Sequence, residues 1–458
     1  MSDASNARRR ERLNGPLFVV MSFGLLYVSW AGARGAEHAS VALPIFFDTP
    51  YLAVRTVVSF VFLAFFLVLM ARQVLLMIFS VLDQLVRARA ERRRRSARGP
   101  TFEPLVTIIA PAFNEGKVIE GSIRSLLSLD YPRYEVLVVD DGSTDDTLER
   151  ARALEGEYPN ARVEVLWKPN GGKAAALNFA IERAAGEFVL CMDSDSTLAR
   201  SSLSEAIRHF EDPDVGAVAG AVEVVNRHSL WSKLQFLEYV KGLNLVRRAQ
   251  GFVHGVSIVP GPLGLFRKSA LTDIGSYSHD TFAEDCDLTL RLLMDGWKIC
   301  YEPRAVARTE APEELISLIK QRYRWTRGIL QALKKHRRAL LGGTPAIVPK
   351  IMLWYMVFEA LLWPVMTSIV VAFLLAAGLD SAIRPAALYF WVMLVVLDTA
   401  TTLYCLAIDG KNVLYAFLAP VERMMFTIVL DVCRGLASVE EVFGVEMSWG
   451  KLERKGRV

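Results

Sequence analysis

Residues Phe188 to Thr197 read FVLCMDSDST. A run of apolar residues stops abruptly at two aspartates separated by one serine. On an extended strand successive side chains alternate faces, so Asp193 and Asp195 are expected to point the same way. Two carboxylates at a strand end suit a hard divalent cation, which takes oxygen ligands and shares them with substrate phosphates. Asp and Ser also favour turns and helix caps, so the same residues read as a solvated turn. The neighbouring sequence discriminates between the two readings.

Outward from this stretch, short runs rich in Val and Ile alternate with helix-like segments. Strands are predicted at 105–110, 135–140, 162–167, 187–192 and 215–222, and helices at 116–128, 145–154, 173–185 and 199–210. Alternating strands and helices imply βαβ units and a mostly parallel sheet. Such sheets bind ligands beyond the C-terminal ends of their strands. Those ends carry Phe113-Asn114-Glu115, Asp140-Asp141-Gly142-Ser143, Lys168 through Lys173, and Asp193-Ser194-Asp195. Four polar clusters on one rim favour the ligand reading of the aspartates.

The two ends of the chain differ from this α/β middle. With 458 residues, of which 52% are apolar and concentrated near the ends, at least two structural units are expected. Residues 17–33 are uncharged and follow a cluster of arginines, which predicts a first transmembrane helix with a cytoplasmic N-terminus. A second is predicted within 52–82, followed by RARAERRRRSAR at 87–98. With a net charge of only +4, the basic clusters read as juxtamembrane anchors, and no nucleic-acid partner is expected. Two further spans are predicted at 348–377 and 386–408; 412–434 is apolar but holds Pro420, Glu422, Arg423 and Asp431, and reads as a fifth span or an interfacial helix. Residues 312–340 form a basic, amphipathic helix expected at the membrane surface. The organisation is therefore an N-terminal membrane region (1–99), an α/β domain (100–311), an interface helix (312–345) and a C-terminal membrane region (346–458). The five cysteines include no C-x-x-C pair, which argues against a disulfide scaffold or structural zinc.

Further motifs carry chemistry. In VVDDGSTDDT (138–147), Asp140 and Asp141 can accept hydrogen bonds from a sugar or base, while Ser143, Thr144 and Asp145 suit a helix cap. In WKPNGGKAAALNFA (167–180), a glycine turn opens a helix at Lys173, an arrangement that favours a phosphate without matching a P-loop. TFAEDCDLTLRL (281–292) places Glu284, Asp285 and Asp287 in one helical first turn. That turn is either a favourable dipole interaction or the seat of a general base. In QRYRW, Gln321, Arg324 and Trp325 share a helix face at i, i+3 and i+4. An arginine can hold a phosphate and a tryptophan can face a sugar; a snorkelling pair reads equally well. Glu359 and Asp398 lie inside apolar spans, where carboxylates line a polar path or satisfy another helix.

The ordered set DDGS, GGKAAALN, DSD, AED and QRYRW resembles the family-2 glycosyltransferases, over roughly residues 100–340. The flanking spans make it similar to the membrane-embedded processive polysaccharide synthases, most like the poly-β-1,6-N-acetylglucosamine synthases. Relatives in that group make hyaluronan, chitin and cellulose. The resemblance implies a GT-A (Rossmann-like) α/β catalytic domain in the cytosol, flanked by transmembrane helices of the cell (inner) membrane. It implies that Asp140 or Asp141, with Phe113 and Glu115, holds the uracil and ribose of a UDP-sugar. Lys173 would contact the nucleotide or its diphosphate. Asp193 and Asp195 would serve a Mg²⁺ or Mn²⁺ ion, Asp195 as the direct ligand. Asp285 would be the catalytic base, beside Glu284; Ala283 departs from the family's threonine there. Gly261 and Pro262, within VPGPLGLFRKSAL (259–271), would seat the acceptor sugar. Gln321, Arg324 and Trp325 go with processive members.

The expected activity is inverting, metal-dependent polymerisation of a UDP-sugar, best UDP-N-acetylglucosamine, into a β-linked exopolysaccharide that is passed across the bilayer. The expected partners are the donor, the growing polysaccharide, lipid, and an accessory membrane subunit. Two alternatives stand beside it. One is a non-processive transferase acting on a lipid or oligosaccharide acceptor. The other is a non-catalytic nucleotide-binding scaffold.

Overall fold

The computed structural model describes residues 52–96, 102–342, 347–379 and 384–445. The expected span at 17–33, its polar link and the basic tail lie outside these residues. The middle of the chain folds around a nine-stranded sheet in the order β3-β4-β2-β1-β5-β8-β7-β9-β6. The strands are β1 (Val106–Ala112), β2 (Tyr134–Asp140), β3 (Gly156–Glu157), β4 (Ala161–Trp167), β5 (Phe188–Cys191), β6 (Ser196–Leu198), β7 (Val215–Val224), β8 (Gly264–Arg267) and β9 (Lys298–Thr309).

The central strands are continuous apolar runs because helices cover both faces. Ile108, Val136, Val138 and Leu190 pack on one side with Ile123 and Leu126. Their neighbours Ile109, Leu137, Val139 and Val189 pack on the other with Leu177 and Ile181. The expected βαβ pattern holds for β4-β2-β1-β5, which are all parallel. The C-terminal ends of these four strands therefore share one rim. The sheet is not mostly parallel beyond that. β8 lies antiparallel between β5 and β7, and β6 runs antiparallel to β9, while β7 and β9 are parallel. The stretch 259–271 contains β8 and the start of the helix Lys268–Asp273. Only its first residues remain free to form a loop over the rim.

Six helices position the site and its supports: α1 (Leu52–Ser96), α2 (Lys173–Ile181), α3 (Leu245–Phe252), α4 (Glu284–Met294), α5 (Leu315–Lys335) and α6 (Thr427–Val442). Among the described residues four segments are long and apolar enough to cross a membrane: Phe60–Arg92, Ile347–Leu375, Leu388–Ile408 and Val413–Val442. The last is the segment with two sequence readings. Its Pro420 falls in a helical first turn, where a missing N–H costs nothing. Phe62 stacks on Phe373 at 4.2 Å and Phe66 meets Phe390 edge-on at 5.0 Å, joining the N- and C-terminal membrane helices.

α5 forms as expected. It packs between α4 and α6. Two of its arginines are buried ties: Arg322 pairs with Glu238 at 2.5 Å and Arg327 with Glu441 of α6 at 2.5 Å. The intramembrane carboxylates are paired too. Glu359 accepts from Arg72 at 2.6 Å, and Asp398 lies 3.7 Å from Lys241 and 3.5 Å from Arg423.

Candidate active site

β5 ends at Cys191, so strand alternation does not govern the two aspartates. They instead occupy a turn closed by Ser196 N–H donating to the Asp193 carbonyl at 3.0 Å. β6 then carries the chain away along β9. The turn reading therefore holds, and the turn sits on the rim formed by the strand ends. Asp193 accepts an ion pair from Lys173 at 2.7 Å, and Lys173 reaches Glu284 at 2.8 Å. One ammonium thus joins three elements: the turn after β5, the start of α2 and the start of α4. Burial disfavours that charge, but Asp193, Glu284 and Asp285 hold Lys173 protonated well above its ordinary range.

Asp285 lies beside this pair at the first turn of α4. Its Oδ1 accepts from Cys286 N–H at 2.8 Å. Burial, reinforced by the charge of Glu284 and opposed by Lys173, pushes its carboxyl up to about 6. Asp287 turns the other way, to Arg291, Lys335 and His336. Burial alone would raise it, but these partners hold it well below the usual carboxylate range. The three acids therefore divide: Asp287 braces the helix, Glu284 fixes Lys173, and Asp285 is left with a perturbed proton affinity.

The rest of the rim is laced together. Asp141 accepts from Lys168 at 2.5 Å, Gly171 N–H at 3.0 Å and Gly172 N–H at 2.7 Å. Those two amides are therefore committed within the chain and do not face a phosphate, contrary to the phosphate-binding reading of the glycine turn. The close approach depends on Gly142, at φ +74°, where a Cβ would meet Asn170 N at 2.8 Å. Asp140 differs. Its Oδ2 accepts from Ser143 N–H at 3.2 Å, whereas its buried Oδ1 has no hydrogen-bond partner among the described residues. Ser143 and Thr144 do not cap the next helix as expected; they hold Asn114, through Ser143 Oγ at 2.9 Å and Thr144 N–H at 2.7 Å. Asn114, at φ +53°, places Phe113 and Glu115 beside this pair of loops.

Gly261 lies directly over the Lys173–Asp193 pair. A Cβ there would stand 2.9 Å from Asp193 Oδ2 and 3.0 Å from Lys173 Nζ. Lys173, Met192, Pro260, Gly261, Glu284 and Asp285 line one narrow cleft, with Pro262 next along the loop. Gln321, Arg324 and Trp325 lie on α5. Gln321 is buried and accepts from Arg322 at 2.6 Å, while the Arg322 guanidinium covers the Trp325 ring at 4.1 Å. Sequence reasoning passed over Arg322 as one more basic residue, because its partner Glu238 is distant in sequence. It also passed over Gly328, where a Cβ would stand 2.7 Å from that of Ala283. That contact packs the QRYRW helix against the start of α4. Tyr277 was missed as well; Asn178 holds its backbone at both N–H and carbonyl, 2.9 Å each.

Residues 103–328 match the family described as Glycosyltransferase like family 2. They are a glycosyltransferase domain of that family. The chain is 34% identical over 224 residues to the poly-beta-1,6-N-acetyl-D-glucosamine synthase of Staphylococcus aureus strain COL, covering 49% of this chain and 54% of the relative. It is 32% identical over 256 residues to the synthase of the same name from Staphylococcus epidermidis strain ATCC 35984, covering 56% and 60%. The alignments thus span little more than half the length of these curated relatives. Among solved structures, a mannosyltransferase from Pyrobaculum calidifontis in complex with GDP-Man and Mn²⁺ superposes with a TM-score of 0.57 at 24% identity, covering 82% of this chain and 99% of that one. The glycosyltransferase domain thus has the GT-A fold, built on a mixed sheet.

The donor set on the rim can be tested against a divalent cation. Among the described residues no group of three or more His, Cys, Asp or Glu side chains converges as a metal cage. Asp193 and Asp195 supply only hard carboxylate oxygens. Such a set fits a Mg²⁺- or Mn²⁺-type ion whose remaining ligands are water and substrate phosphate.

Proposed function

We propose that the chain is an inverting, metal-dependent transferase that polymerises UDP-N-acetylglucosamine into a β-linked polysaccharide and feeds it to its own membrane helices. The observation that carries this reading is the Asp285 carboxyl, with its proton affinity raised to about 6, beside the Lys173–Asp193–Glu284 bridge. Near neutral pH it is ionised yet ready to take a proton, which is what a general base requires.

The residues divide the work by their geometry. Asp140, whose Oδ1 is unpaired among the described residues, receives the uracil, and Phe113 and Glu115 frame it. Asp141 holds the glycine loop in place. A divalent cation held by Asp195 with Asp193 would neutralise the charge of the departing diphosphate. Lys173 sits where it can contact the same diphosphate. Asp285 removes the proton from an acceptor hydroxyl; that oxygen bonds to the anomeric carbon as the bond to diphosphate breaks, and UDP leaves. Attack opposite the leaving group inverts the anomeric centre. Gly261 and Pro262 leave room for the acceptor sugar over the cleft, and Gln321, Arg324 and Trp325 flank it from α5. The catalytic domain lies on the cytoplasmic side of the inner membrane in this reading, where the donor is made.

The test is purified protein in detergent with UDP-N-acetylglucosamine and Mg²⁺ or Mn²⁺, with UDP release measured and the product sized. A polymer cut by a β-1,6-specific hydrolase is expected. A discrete glycolipid would replace this reading with the non-processive one, and no UDP release from any UDP-sugar would end both.

A further inference from the structure

The segment Val413–Val442 is long and apolar enough to cross a membrane, yet its two faces are arranged the wrong way round for a helix in water. Phe417, Val421, Met424, Val432, Leu436 and Val439 recur at helical spacing, and all are exposed. Every exposed residue from Val413 to Phe443 is apolar. The opposite stripe, Glu422, Phe426, Leu430, Cys433 and Ala437, is buried against the rest of the chain. A helix on the surface of a water-soluble domain turns its apolar stripe inward and its charges outward. An exposed apolar stripe of this length instead marks contact with lipid or with another apolar surface.

The inward stripe is tied to the glycosyltransferase domain along its whole length. Just before the segment, Lys411 pairs with Glu223 of β7. Glu422 pairs with Lys241 in the turn Tyr239–Asn244. Phe426 and Leu430 pack with Leu234 and Leu318. Cys433 Sγ donates to the Ile319 carbonyl at 3.5 Å. At the far end Tyr323 donates to Glu440, Arg327 pairs with Glu441 at 2.5 Å, and Arg327 also donates to the Val445 carbonyl at 2.7 Å. All these partners, from Glu223 to Arg327, lie within the residues matched to the family.

Thirty residues of helix at ~1.5 Å each span about 45 Å, more than the ~30 Å hydrocarbon core of a bilayer. A helix that crossed would carry its ends to opposite faces, where one domain could not hold both. The segment Ile347–Leu375 shows the pattern of a crossing helix. Near its start Met352 belongs to the core of the domain with Ile299 and Tyr301, while near its end Phe373 stacks on Phe62 of α1. We infer that Val413–Val442 does not cross: it lies flat in the leaflet that faces the glycosyltransferase domain, its inward stripe on the domain and its outward stripe in lipid. Lipid is the occupant because the outward stripe carries no charge and only residues 409–412 separate the segment from the end of the span Leu388–Ile408, so it starts at the membrane surface. A helix of this kind buries its apolar face about 5–10 Å into the boundary between headgroups and acyl chains. The described residues then cross the membrane three times, and Val445 emerges on the side of the domain.

The test uses the full chain reconstituted in lipid vesicles and labelled at single introduced cysteines. All five native cysteines are buried, so the unmodified chain gives the background. Spin labels on Phe417→Cys, Met424→Cys, Val432→Cys and Val439→Cys report depth through their collisions with oxygen, which concentrates in lipid, and with a water-soluble nickel complex. All four are expected at one shallow depth, about 5–10 Å below the surface. Labels at the middle positions lying about 15 Å deep in the hydrocarbon, with the outer two near opposite surfaces, would overturn the inference. So would labels that meet neither reagent and broaden one another, since a second copy would then cover the stripe. The side is read with Val445→Cys and with Glu182→Cys, a position exposed on the domain, treated with a membrane-impermeant maleimide in sealed vesicles. Both are expected to react in the same fraction of vesicles, and reaction from opposite sides would show that the segment crosses.

Discussion

Replacing Asp285 by Asn should make the protein more stable and nearly inactive, and the stability gain should depend on pH. The Asp285 carboxyl is raised from 3.8 to about 6 in the folded chain. A shift of about two units corresponds to ~3 kcal/mol of penalty for keeping it ionised at neutral pH, an upper bound for a group that is only partly enclosed. That shift already includes the attraction of Lys173. Asparagine keeps an oxygen for the Cys286 N–H, and Lys173 retains Asp193 and Glu284. The variant should therefore gain about 1–3 kcal/mol, or roughly 3–10 °C in unfolding midpoint for a domain of this size. The sign fixes the pH window. A carboxyl whose folded value is raised is favourable to folding while both states are protonated, below about 4. The wild type then loses that contribution as pH rises from about 4 to 6. The two unfolding midpoints should nearly coincide near pH 4, separate towards pH 6 and stay apart above it. Turnover, read as UDP release, should fall about 10²–10⁴-fold. The wild-type rate should fall on acidification with a midpoint near 6. A lower midpoint for the variant at neutral pH, or a gap that ignores pH, would refute the reasoning, as would retention of more than about a tenth of the turnover.

The two adjacent aspartates after β2 should separate in experiment. Asp140→Asn is expected to weaken UDP binding about ten- to a hundredfold with little change in unfolding midpoint, whereas Asp141→Asn breaks a buried pair and should cost ~3–5 kcal/mol of stability; equal effects in calorimetry would count against this division. Gly261→Ala places a methyl 2.9 Å from Asp193 Oδ2, and should lower turnover at least about tenfold while changing stability by no more than ~1 kcal/mol. Chelation by EDTA should abolish UDP release and added Mg²⁺ or Mn²⁺ restore it, measured in a coupled UDP assay; full activity after exhaustive chelation would remove the cation from the proposed mechanism.

How far the sequence could be read depended on how local each interaction was. β1, β2, β5 and β7 were legible because strands buried on both faces need largely apolar runs, and β4 because Val163 and Val165 alternate with Arg162 and Glu164. β9 was not, since Pro303 and Arg304 interrupt it where its pairing with β7 slips between Gly220 and Ala221. β8 is four residues long and lay hidden inside a glycine-bracketed stretch. Strand ends were legible through the rim rule, and the clusters named there do meet on one rim. The sequence could not show which atom of each cluster is already in use. Asp140 and Asp141 look alike in DDGS, and only the folded loop reveals that Gly171 and Gly172 consume the second. Arg322 reads like Arg324 until Glu238, 84 positions away, is brought against it.

The same distinction governs the boundary between the catalytic domain and the membrane helices. Arg87 reaches across to Glu302, Lys241 to Glu422, and Arg327 to Glu441. Buried pairs of this kind add little net stability, because desolvation offsets most of the attraction. Their effect is on register, since sliding one element past the other would strand two charges at once. Arg327 lies one residue before Gly328, whose contact with Ala283 sets α5 against the start of α4. The pair with Glu441 on α6 and the close packing beside Asp285 are thus two ends of one rigid connection. A motion that drags α6 is therefore expected to carry α5, with Trp325, and the start of α4, with Asp285, together. In the polymerising reading proposed above, the helix that carries QRYRW would itself link polymer movement to the cleft, with no separate signalling element.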